Sequence, residues 1–192
     1  MSAMTPVDSK AFATPKALET WLRANHSRKQ ELWVRIYKKA SGTPSISWED
    51  CVVACLTWGW IDGVKRSLDE VSYLQRITPR RPKSGWSKKN RAHAERLIAE
   101  RRMQPAGLLH VEAARADGRW ERAYAGSADM ELPEDFLRAL DAQPAAKAFF
   151  ATLRRAQIYS IYHQLHGAKR PETRARRMEK ILAALAEGRA LR

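Results

Sequence analysis

Apolar side chains recur along this chain in two rhythms, and the change from one to the other divides it. Leu18, Trp21 and Leu22 stand at i, i+3 and i+4, the stripe of a short helix that Thr14 can cap and Pro15 can open. From Glu31 to Tyr37 the period falls to two. Leu32, Val34 and Ile36 alternate with Trp33, Arg35 and Tyr37, a β-branched and aromatic mixture that suits a strand. After the loop Ser41-Gly42-Thr43-Pro44-Ser45, Ser47 can cap a helix from Trp48 to Trp58, with Glu49 and Asp50 at its positive end. Gly59 can stop that helix in a left-handed conformation. Trp60 to Arg66 and Ser72 to Thr78 then read as two strands, joined through Leu68-Asp69-Glu70. The pattern predicts a small antiparallel sheet of about three strands.

From Ser87 onward the period is helical. Ser87 can cap a segment in which Ala94, Leu97, Ile98 and Arg101 share a face. Pro105, Pro133 and Pro144 each stand where a first helical position is expected. Ile158, Ile161, Tyr162 and Leu165 line one later helix. Met178, Ile181, Leu182 and Leu185 line the last, which Gly188 can end. Asp117 to Asp129 reads as the least ordered connection. The expected class is α+β: a body over residues 12–116 and a mostly helical part over 130–188, or the two as one continuous domain.

Charge changes this picture more than composition does. Lys and Arg number 35 against 21 Asp and Glu, a net charge of +14. Residues 1–86 carry 14 basic and 8 acidic residues, 87–142 carry 10 and 10, and 143–192 carry 11 and 3. The excess therefore belongs to localised surfaces, not to a uniform coat. Seven tryptophans and 44% hydrophobic residues argue against disorder. No apolar run approaches the ~20 residues of a membrane span. The first ten residues lack the basic start and apolar stretch of a secretory signal, and two cysteines four apart are no disulfide framework. A cytoplasmic setting is the expectation.

The most unusual stretch runs RITPRRPKSGWSKKNR, from Arg76 to Arg91. Arg76, Arg80, Arg81, Lys83, Lys88, Lys89 and Arg91 have no acidic residue among them. Pro79 and Pro82 stiffen the backbone, Trp86 offers a flat surface for cation–π contact, and the helix start at Ser87 offers N–H donors. The functional reading is an anion-binding groove; the plainer one is a solvated basic loop. Asp62, between the glycines of Gly59-Trp60-Ile61-Asp62-Gly63, could act as a general base or cation ligand. A carboxylate among arginines holds its proton poorly, which favours a salt bridge to Arg66, Arg76 or Arg80 instead. Cys51 and Cys55 lie one turn apart with no third ligand and read as core residues. His163 and His166 lack a nearby carboxylate, so no metal site is expected. Lys169, Arg170, Arg174, Arg176, Arg177 and Lys180 decorate the last helix, as a nucleic-acid or acidic-membrane surface or as a charged outer face.

Three segments resemble a known family: Tyr37 to Val52, Gly59 to Asn90, and Arg101 to Gly107. With them goes Ala168 to Leu182, AKRPETRARRMEKIL. Together they resemble the bacterial YdeI/OmpD-associated family, whose members are labelled bacteriocin-protection proteins. The resemblance spans roughly Phe12 to Leu185. It implies tolerance of bacteriocins, cationic peptides or envelope stress and association with an outer-membrane porin. It implies no reaction, cofactor or catalytic set. The leading expectation is a non-catalytic stress-response protein without cofactor or metal, binding an anionic small molecule or phosphate-bearing ligand. Trp60 and Trp86 would wall the site, Asp62 would orient the arginines, and Arg76, Arg80, Arg81, Lys83 and Asn90 would contact the ligand. The alternatives are a nucleic-acid-binding protein and an enzyme using Asp62.

Overall fold

The structure is a computed structural model in which residues 9–190 are described. The opening stretch read above as lacking a secretory signal lies, up to residue 8, outside the described residues. The chain forms two compact units, Met1–Ala123 and Tyr124–Arg192.

The first unit is a sheet with two layers of helices. Its strands are β1 (Ser9–Ala11), β2 (Leu32–Tyr37), β3 (Trp60–Ser67) and β4 (Ser72–Pro79), in the order β1-β2-β4-β3. The three expected strands are present and antiparallel. A fourth, β1, runs parallel to β2, and its three residues are too short to show a period. A bulge between Asp62 and Lys65 interrupts the β3–β4 ladder, and Gln75 donates its side-chain amide to the Gly63 carbonyl there.

Helices α1 (Pro15–Asn25) and α2 (Trp48–Thr57) cover one face of the sheet. Leu32, Val34, Ile36 and Ile77 meet Leu18, Leu22, Cys51 and Cys55 in the first core cluster. Both α1 and α2 begin as their sequences require. Thr14 accepts from the Ala17 N–H with Pro15 at the first helical position, and Ser47 and Asp50 form a reciprocal capping box. α2 is apolar around most of its circumference because a second core lies behind it. There Val52 and Leu56 pack against Leu97 of α3 (Lys88–Ala99), Val111 of α4 (Pro105–Ala116), Trp86 and Trp120. α3 ends at Ala99. Arg101 is therefore not on its apolar face but beyond its end, with φ at 55°.

The expected connection, Asp117 to Asp129, contains no helix or strand element, yet Arg119, Trp120, Ala123 and Ala125 within it are buried.

The second unit is helical: α5 (Glu134–Asp141), α6 (Pro144–Phe150), α7 (Arg155–His166) and α8 (Pro171–Ala186). Phe136, Leu140, Ala146, Ile161, Leu165, Ile181 and Leu185 form its core. Pro133 precedes α5 as its N-cap and is not the first helical residue. Ala125 is held at both polar ends: its N–H donates to the Tyr162 hydroxyl at 2.9 Å, and its carbonyl accepts from Tyr159 at 3.2 Å. No described helix is long and apolar enough to cross a membrane.

Candidate functional site

The basic stretch begins where β4 ends. Proline cannot extend a ladder, and Pro79 is the last residue of β4, opposite Trp60. The chain then turns through Arg80–Trp86 to the cap of α3, where Ser87 accepts from the Asn90 N–H at 3.1 Å.

Two buried arginines hold this loop. Arg80 is 4% exposed, sits over the Trp86 ring at 4.0 Å and donates to the Gly85 carbonyl at 2.9 Å. Arg119, 6% exposed, is ion-paired to Asp117 and donates to the Ser84 carbonyl at 2.7 Å. Trp86 in turn meets Trp120 edge to face, with ring centroids 4.9 Å apart. The loop backbone is thus ordered from within, and little entropy is left to lose when something binds it.

The structure separates the candidate residues by role. Trp60 and Trp86 are not groove walls. They are core side chains, because their large apolar area is buried in the first and second clusters respectively. Trp60 donates its ring N–H to the His26 carbonyl at 3.1 Å. Arg76 is ion-paired to Glu31, at 2.8 Å from Nε, and Arg66 lies over Trp33, so neither is clamped by Asp62. Asp62 accepts instead from the ring N–H of Trp48 at 3.1 Å. Asn90 contributes a backbone bond to the α3 cap.

What stays open to solvent is Arg81, Lys83 and Lys88. All three are exposed, and none has a carboxylate within ion-pair distance among the described residues. The first turn of α3 holds no acidic residue, so Lys88 and Lys89 oppose the helix dipole. Lys89 is partly compensated, 3.5 Å from Glu49 and 5.0 Å over the Trp48 ring.

Trp48, 40% exposed, is therefore the accessible tryptophan beside the stretch, and the sequence pointed elsewhere. Its spacing to Cys51 and Cys55 mimics the buried stripe of α2, which hides its exposure. Arg119 was equally invisible as the loop's second anchor, being 35 residues from Ser84.

Two histidines lie near these groups. His93 has its pKa lowered by burial, which the nearby Glu49 carboxylate partly offsets. His110 is lowered by burial and by the positive charges of Arg80 and Arg119. Cys51 and Cys55 are buried free thiols, and burial together with Cys51 pushes Cys55 up. Among the described residues no group of three or more His, Cys, Asp and Glu could hold a metal ion. Two depressions of about 300 and 390 Å³ lie along α1 and α2, bordered by Lys16, Arg23, Trp58, Glu49 and Arg102.

In the helical unit the Lys-Arg-Pro-Glu-Thr-Arg string closes the fold. Arg174 makes a forked ion pair with Asp135 at the start of α5, with its second bond at 2.8 Å. Arg177 donates to the Gln164 carbonyl near the end of α7 at 2.6 Å. Lys169, Arg170, Arg176 and Lys180 face solvent.

No curated protein and no solved structure matches the chain. Residues 10–110, just over half of the chain, match the family described as a domain of unknown function, DUF8412. That span contains the Gly-Trp-Ile-Asp-Gly and Thr-Pro-Arg-Arg-Pro strings. Residues 129–188, with the closing string of α8, match the family described as bacteriocin-protection, YdeI or OmpD-associated. The chain thus belongs to the DUF8412 family, and its helical unit carries a match to the bacteriocin-protection, YdeI or OmpD-associated family.

Proposed function

We propose that this is a non-catalytic protein of bacteriocin tolerance and the stress response that holds an anionic, phosphate-bearing ligand on the pinned loop. One observation carries the reading: Arg81, Lys83 and Lys88 are exposed cations without an acidic partner among the described residues, on a backbone that Arg80 and Arg119 hold from beneath. Like charges along one short stretch of chain repel each other, and an arriving anion relieves that repulsion. The family description of the helical unit supports the physiological setting. The proposal keeps the cytoplasmic location expected from the sequence, which makes any association with a porin indirect.

The test is a thermal-shift and binding series with inorganic phosphate, a nucleoside triphosphate and polyphosphate at 50 and 200 mM salt. A ligand that binds the native state alone raises its melting temperature by mass action. The triple variant Arg81→Ala, Lys83→Ala, Lys88→Ala is expected to melt like the wild type and to lose at least tenfold in affinity. Unchanged affinity overturns the proposal.

A further inference from the structure

The two faces of the sheet are covered by different kinds of side chain. Leu32, Val34 and Ile36 of β2 enter the first core, so Trp33, Arg35 and Tyr37 lie on the opposite face. In β4, Gln75 and Ile77 share the core side with Val34 and Leu32, which puts Leu74 and Arg76 beside Trp33 and Arg35. Arg66 of β3 is paired with Leu74 and lies 4.8 Å over the Trp33 ring. Trp33 and Leu74 are only 8% and 2% exposed, yet neither belongs to a core cluster among the described residues.

Register explains how they are hidden. Arg35, Leu74 and Arg66 form one row across three strands, so Leu74 has an arginine on each side. Trp33 has Arg76 directly opposite and Arg66 above it. Arginine stems shelter apolar surface while their charged heads stay in water. Arg66 over the Trp33 ring is such a cover, and a side chain can move aside where a packed helix cannot. Arg35 reaches Asp69 and Arg76 reaches Glu31 through exposed ion pairs, which hold weakly. Arg66 has no carboxylate within ion-pair distance among the described residues.

We propose that this face binds single-stranded nucleic acid. Phosphates take the guanidinium groups of Arg35, Arg66 and Arg76, and the departure of Arg66 from Trp33 and of Arg35 from Tyr37 lets unpaired bases stack on those rings. Arg35, itself 4.6 Å over Tyr37, and Arg66 stand about 10 Å apart, two strand spacings, so one strand can bridge them. An open sheet face meets the flat π-surface of a base only when that base is unpaired, which selects single strands over duplex. The first unit carries 23 basic and 13 acidic residues, so its field favours a polyanion. None of these residues belongs to the pinned loop, and the two readings fail separately.

The experiment is fluorescence anisotropy with a labelled 20-residue oligothymidylate, a duplex of equal length, and vesicles containing anionic lipid. The oligothymidylate is expected to bind more tightly than the duplex, and three phosphate contacts predict a roughly 20-fold loss between 50 and 200 mM salt. Arg35→Met with Arg66→Met keeps the apolar stems and is expected to cost at least tenfold in affinity. Arg81→Ala with Lys83→Ala leaves it unchanged. Photo-crosslinking of the wild-type protein to a bromodeoxyuridine strand, expected at Trp33 or Tyr37, needs no substitution to fold. No binding by the wild type, equal binding of duplex, binding of vesicles alone, equal affinity of the double methionine variant, or crosslinks confined to other elements each overturns the proposal.

Discussion

Arg80 lies over the ring of Trp86 with its guanidinium carbon 4.0 Å from the ring centroid, and both side chains are buried. A residue from the most basic stretch of the chain thus belongs to the interior. Its neighbour Arg81 is exposed. Arg80→Ala is expected to lower stability by about 2 kcal/mol or more, as for a desolvated cation–π pair. Arg81→Ala is expected to stay within about 0.5 kcal/mol of the wild type. Urea unfolding of the two variants checks the contrast, and equal midpoints would remove the clamp.

α4 approaches the end of α2 so closely that Gly107 has no room for a methyl group. A Cβ there would lie 2.5 Å from the Leu56 carbonyl oxygen and 2.6 Å from that of Thr57. Backbone cannot yield as a flexible side chain can. Gly107→Ala is expected to cost about 1–3 kcal/mol through overpacking. Gly188→Ala, with no backbone atom near its Cβ, meets only the strain of its φ of 67°. Thermal melting separates the two.

His93 and His110 make the first unit sensitive to mild acid. Burial lowers both below the ordinary value of 6.5, Glu49 opposes the shift at His93, and Arg80 and Arg119 reinforce it at His110. The unfolded chain therefore takes up protons that the folded chain resists. Their contribution to stability is complete above pH 6.5 and is lost as pH falls through the lower folded values. His93→Gln is expected to flatten the slope of stability against pH just below neutrality. An unchanged slope, measured by urea unfolding at half-unit pH steps, would assign the dependence elsewhere.

Asp135 gives the second unit a different dependence. The Arg174 hydrogen bond and charge hold its carboxyl below the usual 3.8 and raise Arg174 in turn. The ion pair contributes above pH 3.8 and is lost as pH falls through the lowered value. Asp135→Asn is expected to reduce stability at neutral pH and to bring wild type and variant together in strong acid. Parallel curves down to pH 2 would show that the pair contributes no proton linkage.

Tyr162→Phe tests the hold on Ala125 within the second unit. Removing the hydroxyl leaves a buried backbone N–H without its acceptor, expected to cost about 1–3 kcal/mol. Hydrogen exchange of the Ala125 amide should accelerate in step. An unaltered rate would mean that the bond adds no protection.

Much of the local structure was legible because local physics decides it. Thr14, Ser47 and Ser87 cap the helices they were expected to cap, since a side-chain oxygen reaches an N–H only three residues away. Gly59 and Gly188 adopt positive φ where helices end, a conformation that only glycine takes without strain. The three longer strands follow from alternation, whereas the three-residue β1 is defined by its partner alone.

The candidate site was legible only as a composition. The order of residues alone gathers cations between Arg76 and Arg91 with no acid among them. It could not say which of them face water, because burial depends on residues far along the chain. Arg119, 35 residues from Ser84, holds the loop, and Glu31, 45 residues from Arg76, pairs with the first cation of the basic stretch, which lies in β4. Trp60 and Trp86 went to the core and Trp48 to the surface for the same reason: tertiary packing buries the rings that find complementary surfaces, whatever their neighbours in sequence. The arginine-covered sheet face likewise exists only once register sets Arg35, Leu74 and Arg66 in one row. Capping, turning and periodicity are short-range and were set by the chain alone. Which charges remain free to meet a partner is long-range, and the fold decided it.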